Sequence, residues 1–324
     1  IDAKSENFDY SIFSSDSKAV ANHLSSNKLT FFHRNAEGQV WIGTKEGLHL
    51  LQLTSNQNKP HVIQSFELTS NGIDKIAESS GFMYFSTLRN NLLVYNKKNK
   101  KLQVLAVTKG RINEMRMSRD KKQLFLSTSL GELIAFDVVR HTVRTIYQFR
   151  TSLTGIYEDS KRRLWLEPEG KGVVMLNLNN FKSNYFGSPF FKKSSTMSFK
   201  CFEDVSQRVW ISMRGGGFGF FDEQNGQIRF SFKSINGQQI DFPRFVHDIL
   251  YDPAGVIWFA VEGEGMARIV FYNKGVSFQP FRNEQGEATD PEVRSLLFDQ
   301  LGRLWVGKKF GRISVFDQGK ILPV

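Results

Sequence analysis

The side chains best suited to recognising a ligand lie in predicted loops in the second half of the chain. Two adjacent phenylalanines stand beside two lysines there: Phe190, Phe191, Lys192 and Lys193. An aromatic surface next to ammonium groups suits an anionic sugar, because charged donors form strong hydrogen bonds to carboxylate or sulfate oxygens. We expect five more donors on the same face of the fold: Arg214, Arg244, His247, Lys308 and Lys309. The alternative is that the phenylalanines fold inward as an apolar plug and the lysines are solvated.

Patterns for catalysis or metal binding are weak. The run Gly215-Gly-Gly217 lacks the Lys-Ser/Thr pair and the strand-to-helix setting of a phosphate loop, so it is predicted to be a turn. The six histidines lack metal-ligand spacing, and we expect His33 and His49 to be structural. Paired carboxylates in two turns are insufficient for glycosidase chemistry: Glu167 and Glu169, and Glu262 and Glu264. We therefore predict no catalytic residue, no metal and no cofactor.

Composition and charge set the broad class of protein. The chain has 324 residues, of which 40% are hydrophobic, and this is enough for a continuous core. Its net charge of +11 favours anionic partners, although an evenly charged soluble surface is the alternative. No apolar run reaches the roughly 18 residues that a membrane helix needs. No leader follows Ile1, so we expect a mature or trimmed chain. The single cysteine, Cys201, is expected to be a small buried hydrophobe.

A repeated phrase predicts the elements that position these side chains. The phrase is an apolar strand, an acidic-x-x-Gly turn or a near variant, one polar residue, an aliphatic residue and an aromatic residue. The aromatic residues recur 40 to 48 positions apart, at Trp41, Tyr84, Phe125, Trp165, Trp210, Trp258 and Trp305. Seven units of this length predict an all-β, seven-bladed β-propeller with four antiparallel strands in each blade. Because each tryptophan holds the same place in its unit, we expect it to pack between neighbouring sheets.

The repeat predicts that residues 1–324 form a single domain. The last unit lacks an evident fourth strand, so residues 8–13, within the lead-in 1–28, are expected to close the seventh blade. Loops normally carry function, and the longest predicted loops between blades are 187–196, 234–244 and 282–292. First-strand residues are expected to point into a central channel, where they hold water or a ligand: Asp74, Lys200, Asp248 and Ser295.

The repeat resembles that of a known family. Residues 37–48 read Glu-Gly-Gln-Val-Trp-Ile-Gly-Thr-Lys-Glu-Gly-Leu, and residues 299–307 read Asp-Gln-Leu-Gly-Arg-Leu-Trp-Val-Gly. Both are similar to the two-component regulator propeller repeat, which is roughly Asp-x-x-Gly-x-Leu-Trp-Ile-Gly-Thr-x-x-Gly-Leu. The resemblance extends from about residue 29 to 316. Units two and three lack the tryptophan, and several units lose the Gly-Thr pair.

This resemblance implies a sensor. The family forms the periplasmic sensor region of hybrid two-component systems in Bacteroides-like bacteria and recognises products of polysaccharide breakdown. We therefore expect a periplasmic, non-catalytic propeller that binds an oligosaccharide, with the kinase in another part of the protein. The implied partners are an adjoining second propeller and an immunoglobulin-like domain of the same receptor. A homodimer is a further arrangement to consider, and no nucleic-acid partner is expected.

Two other functions compete with this interpretation. One is a propeller lyase, since the streptogramin lyases carry a similar repeat and a His/Glu active site with Mg²⁺. That function would require His247 to lie near Glu262 or Glu264. The other is a protein-interaction scaffold, which would present an apolar exposed patch rather than a pocket.

Overall fold

The protein is an all-β molecule in the computed structural model. The described residues are 12–53, 60–68, 72–105, 107–187, 199–212, 217–234, 239–241, 246–251, 256–261, 263, 265–270, 275–279, 292–309, 313–317 and 320–322. Its strands form seven sheets, and each sheet contains four consecutive antiparallel strands. The sheets fall into two compact units, residues 1–153 and 154–324. These sheets confirm the seven predicted blades.

The first unit holds three blades. One short 3-10 helix, Val20–Asn22, precedes them. The strands of blades one, two and three are, in order, β1 (Leu29–Arg34), β2 (Val40–Thr44), β3 (Gly47–Gln52), β4 (His61–Glu67); β5 (Ile73–Glu78), β6 (Phe82–Thr87), β7 (Leu92–Asn96), β8 (Lys101–Leu105); β9 (Ile112–Met117), β10 (Gln123–Thr128), β11 (Glu132–Asp137) and β12 (Val143–Gln148).

The second unit holds four blades. The strands of blades four and five are β13 (Leu153–Glu158), β14 (Arg163–Pro168), β15 (Val173–Asn177), β16 (Ser183–Phe186); β17 (Lys200–Glu203), β18 (Val209–Ser212), β19 (Phe218–Asp222) and β20 (Gln227–Arg229). Two further strands follow, β21 (Ser231–Ser234) and β22 (Gln239–Asp241). Blades six and seven are β23 (Val246–Tyr251), β24 (Val256–Val261), β25 (Gly265–Val270), β26 (Gly275–Gln279); β27 (Val293–Phe298), β28 (Leu304–Lys308), β29 (Ile313–Asp317) and β30 (Lys320–Leu322).

The repeated turn is built around its first residue. In blade four, Asp159 Oδ1 accepts the backbone N–H of Lys161 at 3.0 Å and of Arg163 at 2.9 Å. Its Oδ2 accepts the indole N–H of Trp165 at 2.8 Å. The same three bonds recur around Asp204 and Asp299. One carboxylate therefore closes the turn and fixes the tryptophan, which explains the spacing of six residues.

The fourth turn residue has left-handed backbone in blades one, three, four, five and seven. Gly302 has φ of 76° and Gly38 has φ of 78°, which glycine adopts without steric cost. Arg162, Gln207 and Lys121 hold the same place with φ of 59° to 60°. The turn geometry is therefore kept even where the sequence has lost its glycine.

The tryptophans pack between neighbouring blades, as predicted. Trp210, only 1% exposed, lies in a cluster with Val246 and Phe259 of the next blade. Trp41 likewise packs against Ile73 and Phe85, and these residues belong to blade two. In blades one, two, four and five the aromatic residue is therefore buried against the following sheet, where aromatic rings contribute large apolar areas.

The predicted closure of the last blade was wrong. Its fourth strand is β30, which pairs antiparallel with β29. The chain therefore supplies this strand from its own C-terminal segment, while residues 8–11 lie outside the described residues.

The segment between blades five and six also differs from the prediction of a simple loop over 234–244. Strands β21 and β22 form a hairpin, and β21 pairs in parallel with β26. Blade six is thereby part of a six-stranded sheet. The insertion therefore satisfies part of its backbone hydrogen bonding within its own hairpin and part with β26.

Candidate functional site

Three of the nine predicted ligand-binding residues are described by the structure. His247 lies in β23, Lys308 ends β28 and Lys309 follows it. The other six lie outside the described residues: Phe190, Phe191, Lys192, Lys193, Arg214 and Arg244. His247 and Lys309 belong to one network at one end of blades six and seven. We call the end of a blade at which its first strand begins the head end, and the opposite end the turn end.

A β-bulge marks the head end of several first strands. In blade six, Val246 pairs with Val261 and Asp248 pairs with Ala260, so His247 is an extra residue in the ladder. The same one-residue shift occurs at four other first strands, with the extra residues Thr30, Asp74, Asn113 and Arg294. All five side chains are polar. A bulge changes the direction in which its side chain points. These five side chains therefore do not follow the alternation between the two faces of the sheet that the other strand residues follow.

The bulge residues of blades six and seven contact each other. Arg294 Nη1 lies 3.0 Å from Nδ1 and 2.8 Å from Nε2 of His247. A guanidinium only donates, so whichever of the two ring nitrogens accepts its N–H must be the unprotonated one. The contact therefore holds an imidazole beside a permanent positive charge.

Glu292 connects this pair to Lys309. Arg294 Nη2 donates to Glu292 Oε2 at 3.0 Å, and Lys309 Nζ lies 2.8 Å from the same oxygen. The backbone N–H of Lys309 also donates to the carbonyl oxygen of Glu292 at 2.9 Å. The Lys309 ammonium, followed by Arg294, lowers the pKa of Glu292 from its ordinary value. A carboxylate is therefore already bound between two cations.

A second polar chain lies beside the first. Lys200 Nζ lies 3.5 Å from Asp248 Oδ1, while Asp248 Oδ2 accepts the backbone N–H of Leu296 at 3.0 Å. Asp248, in blade six, thus contacts both neighbouring blades, five and seven. Lys200 and Asp248 were predicted to face a central channel, and the structure places them in contact instead of leaving each to water alone.

The site is net basic and partly open. Its described cations are Lys200, Arg294, Lys308 and Lys309, and its described acids are Asp248 and Glu292. Side chains in the network are 24% to 42% exposed, so solvent and solutes reach them. The arrangement can bind an anion through charge-assisted hydrogen bonds.

Sequence analysis missed Glu292 and Arg294. Arg294 follows a buried valine at the start of a first strand, and so does His247, so aligning the seven units would have placed the two residues together. Glu292 was treated as part of a loop, and nothing in its sequence setting indicates that it binds two cations.

The histidines expected to be structural are partnered. His49, 1% exposed, accepts the Ser25 N–H at Nε2 at 3.0 Å, and its Nδ1 lies 2.9 Å from Ser65 Oγ. Burial, followed by the charge of His23, lowers the pKa of His49 to about 4. His33 Nε2 donates to Glu78 at 2.9 Å.

The structure describes only some of the other residues singled out in the sequence. Glu167 accepts the Thr154 hydroxyl at 2.6 Å, whereas Glu262 and Glu264 lie outside the described residues. Cys201 is partly buried and packs against an apolar cluster. Within the described ranges, no group of three or more His, Cys, Asp or Glu side chains is placed to hold a metal. Nor does any helix there have the length and apolar character needed to cross a membrane.

Comparison with known proteins bears on the fold. No protein family and no curated protein matches the sequence. A chain of a mitotic checkpoint complex has 12% identity and a TM-score of 0.61, with 90% of each chain covered. Catalytically inactive virginiamycin B lyase from Staphylococcus aureus, solved with quinupristin, has 15% identity and a TM-score of 0.58, with 89% of this chain and 94% of that chain covered.

A third structure is the extracellular domain of a hybrid two-component system from B. thetaiotaomicron. Its identity is 14% and its TM-score is 0.45, with 98% of this chain and 54% of that chain covered. The present chain therefore spans about half the length of that domain. Together with the seven sheets, the first two likenesses define a seven-bladed β-propeller.

Proposed function

We propose that this propeller is a non-catalytic sensor module that binds an acidic oligosaccharide at the head end of blades five to seven. Two arguments support the proposal. The repeat resembles that of periplasmic two-component sensors, and the described head-end residues form a net-basic network around His247 and Arg294.

The observation that carries the proposal is the position of Glu292 between Arg294 and Lys309. This arrangement already binds one carboxylate in bonds of 2.8 and 3.0 Å. The carboxylate of a uronic acid has the same charge and acceptor geometry, and a sulfate ester has the same charge. Such a group binds by taking over these donors as Glu292 swings away.

Hydrogen bonds to uncharged hydroxyls complete recognition of the sugar. Asp248 accepts donors, and Lys200 donates, at the same end of neighbouring blades. The predicted residues Phe190, Phe191, Lys192 and Lys193 belong to the loop that precedes blade five, and we assign them the role of stacking surface and additional donors. Arg214, Arg244 and Lys308 are the remaining donors of the proposed site.

In this proposal the chain is periplasmic and signals through other parts of a larger receptor. Its partners are a second propeller, an immunoglobulin-like domain and a copy of itself in a homodimer. Because no step of a reaction is assigned to the described residues, the site binds and releases its ligand unchanged.

A propeller lyase is the competing proposal, and it makes a separate prediction. A lyase of this kind would consume quinupristin in the presence of Mg²⁺, and consumption can be followed by mass spectrometry. We expect the compound to remain intact after prolonged incubation with the purified chain.

The test of the sensor proposal is a thermal-shift screen against neutral and acidic oligosaccharides. A ligand that binds only the folded state stabilises it by about 2.7 kcal/mol at a hundredfold excess over Kd. We expect a rise in Tm with uronic or sulfated oligosaccharides, and we expect added salt to reduce it. Shifts with neutral sugars only, or shifts unaffected by salt, would contradict an acidic ligand. No change in Tm with any oligosaccharide of the panel would contradict ligand binding by this chain.

A further inference from the structure

A second concave site lies at the turn end of blades one to three, within the first unit. Its cavity has a volume of about 730 Å³, inside the range of 300 to 1,000 Å³ that is usual for small-molecule sites. It is bounded by the ends of the first strands of three successive blades and by the turns that follow them. Nothing in the proposed oligosaccharide site involves these residues.

The floor of the cavity is apolar. Ile76 and Ala77 come from β5, and Met115 and Met117 come from β9. Methionine side chains adapt to ligands of varied shape because they are flexible and polarisable. The floor therefore fits the hydrocarbon or aromatic body of a ligand.

Both acids in the lining are bound by other groups of the protein. Glu78 accepts hydrogen bonds from His33, from Lys97 and from the backbone N–H of Ala36. Burial opposes ionisation of Glu78, but these bonds outweigh it and lower the pKa of its carboxyl. Glu37 pairs with the same Lys97 at 3.3 Å.

Two cations in the lining remain available to a ligand. Arg116 has a side chain that is 58% exposed, and its nearest described carboxylate is that of Glu114, at 3.8 Å. Lys121 is exposed on the turn after β9 and has no ion pair within the described part of the chain. With Lys97, these two side chains make three cations in the lining against the two acids Glu37 and Glu78, so the lining has a net positive charge.

The surroundings reinforce this charge. The same end of blades two and three carries exposed cations that do not line the cavity, three in turns and one at the start of β8: Lys98, Lys100, Lys122 and Lys101. A concave, low-dielectric surface focuses the field of such charges and attracts anions to it.

We propose that this cavity binds a small organic anion, with its apolar body on the methionine floor and its sulfonate, sulfate, phosphate or carboxylate group between Arg116 and Lys121. The apolar body and the anionic group both follow from the lining. The floor offers no charge, and the rim offers the ammonium of Lys121 and the guanidinium of Arg116, which Glu114 approaches only to 3.8 Å. An extended polyanionic partner with a flat surface would not contact the apolar floor of the cavity.

Two fluorescent probes test the proposal on the purified chain. The first is 8-anilinonaphthalene-1-sulfonate, and the second is N-phenyl-1-naphthylamine, which has the same aromatic body without the sulfonate. The site variant is Arg116→Gln/Lys121→Gln. The control variant is Lys98→Gln/Lys122→Gln, which removes the same charge from the same end without altering the lining. All four positions are exposed, and an unchanged Tm verifies the fold of both variants.

We expect the parent protein to bind the sulfonate more tightly than the neutral probe. The site variant should raise the Kd for the sulfonate by about tenfold, which corresponds to 1.4 kcal/mol. It should leave the neutral probe unaffected, and the control variant should change the sulfonate Kd less than twofold. Equal Kd values for the sulfonate in parent and site variant would overturn the proposal. So would an equal loss in the control variant, equal affinity of the parent for both probes, or no binding of the sulfonate.

Discussion

The indole N–H of Trp210 donates to Asp204 Oδ2 at 2.8 Å, six residues back along the chain. In blade one the same place is held by Asn35, and the indole nitrogen of Trp41 has no hydrogen-bond partner in the described structure. The Asn35 carbonyl oxygen is used by the Gln39 N–H at 2.8 Å, which leaves the amide NH₂ where the carboxylate of Asp204 has its second oxygen. A donor thus replaces the acceptor that Trp41 needs.

Asn35→Asp is therefore expected to stabilise the protein. It supplies the missing acceptor to a buried N–H, and a net hydrogen bond contributes about 0.5 to 1.5 kcal/mol. The reciprocal change Asp204→Asn should destabilise by about 1 to 3 kcal/mol, because it leaves a buried donor unsatisfied. Chemical denaturation at pH 7 measures both changes. The explanation fails if the two substitutions shift the free energy of unfolding in the same direction.

Gly302→Ala should destabilise the protein by roughly 1 to 2 kcal/mol, the cost of left-handed backbone for a residue with Cβ. Gly302 has φ of 76°, and a Cβ there would meet no atom within 4 Å. The substitution therefore measures the backbone strain without any steric clash. Gly81 provides the matched control, because its Cβ would also be free and its φ is outside the left-handed region. Gly81→Ala should leave Tm unchanged or slightly higher. Equal losses at both positions would show that the backbone argument is incorrect.

The buried His49 should make stability depend on pH. Its pKa is about 4 in the folded state and 6.5 in the reference state, so the unfolded chain takes up the proton first as pH falls. The neutral imidazole therefore contributes its full stabilisation above pH 6.5, and this stabilisation is lost progressively as the pH falls toward 4. The loss amounts to roughly 2 kcal/mol by pH 5. Comparing the urea denaturation of the parent and of His49→Gln at pH 7 and pH 5 isolates the contribution of His49. The parent should lose more stability than the variant between the two pH values, and equal losses would contradict this prediction.

A carboxylate also links blade five to blade four. Both oxygens of Glu203 lie 3.1 to 3.2 Å from the Ser160 backbone N–H, and the Ser160 hydroxyl donates to Glu203 as well. Glu78 makes the equivalent contact with the Ala36 N–H in the first unit. Glu203→Ala should cost about 1 to 3 kcal/mol, the cost of leaving such donors unmet. An unchanged free energy of unfolding in Glu203→Ala would contradict this link between the blades. A double-mutant cycle with Ser160→Ala isolates the hydroxyl bond alone, and a coupling energy near zero would show that this bond adds no stability.

The repeat predicted the blades because its physical cause is local. A turn acid, a left-handed fourth residue and an aromatic residue six positions after the acid interact within a single hairpin. Their spacing is therefore visible in the sequence, even where Gln207 replaces the glycine.

The features that sequence analysis did not predict depend on pairing between distant segments. Strand β21 takes its partner from β26, about forty residues later, and β30 replaces the predicted closing strand at the N-terminus. Residue composition does not specify such pairing. Likewise, His247 was selected for its chemistry, but its contact with Arg294 arises from bulges in two separate first strands.

The binding account centres on Glu292 as an internal carboxylate held by Arg294 and Lys309. The most direct test measures by calorimetry the Kd of an acidic oligosaccharide, found in the thermal-shift screen, for parent, Glu292→Gln and Arg294→Gln. Removing the competing carboxylate should tighten binding about tenfold, and removing the guanidinium should weaken it at least tenfold, where tenfold is 1.4 kcal/mol. The predicted result is therefore that the two substitutions change Kd in opposite directions. A weaker Kd with Glu292→Gln, or an unchanged Kd with Arg294→Gln, would contradict an anion site at the head end of blades six and seven.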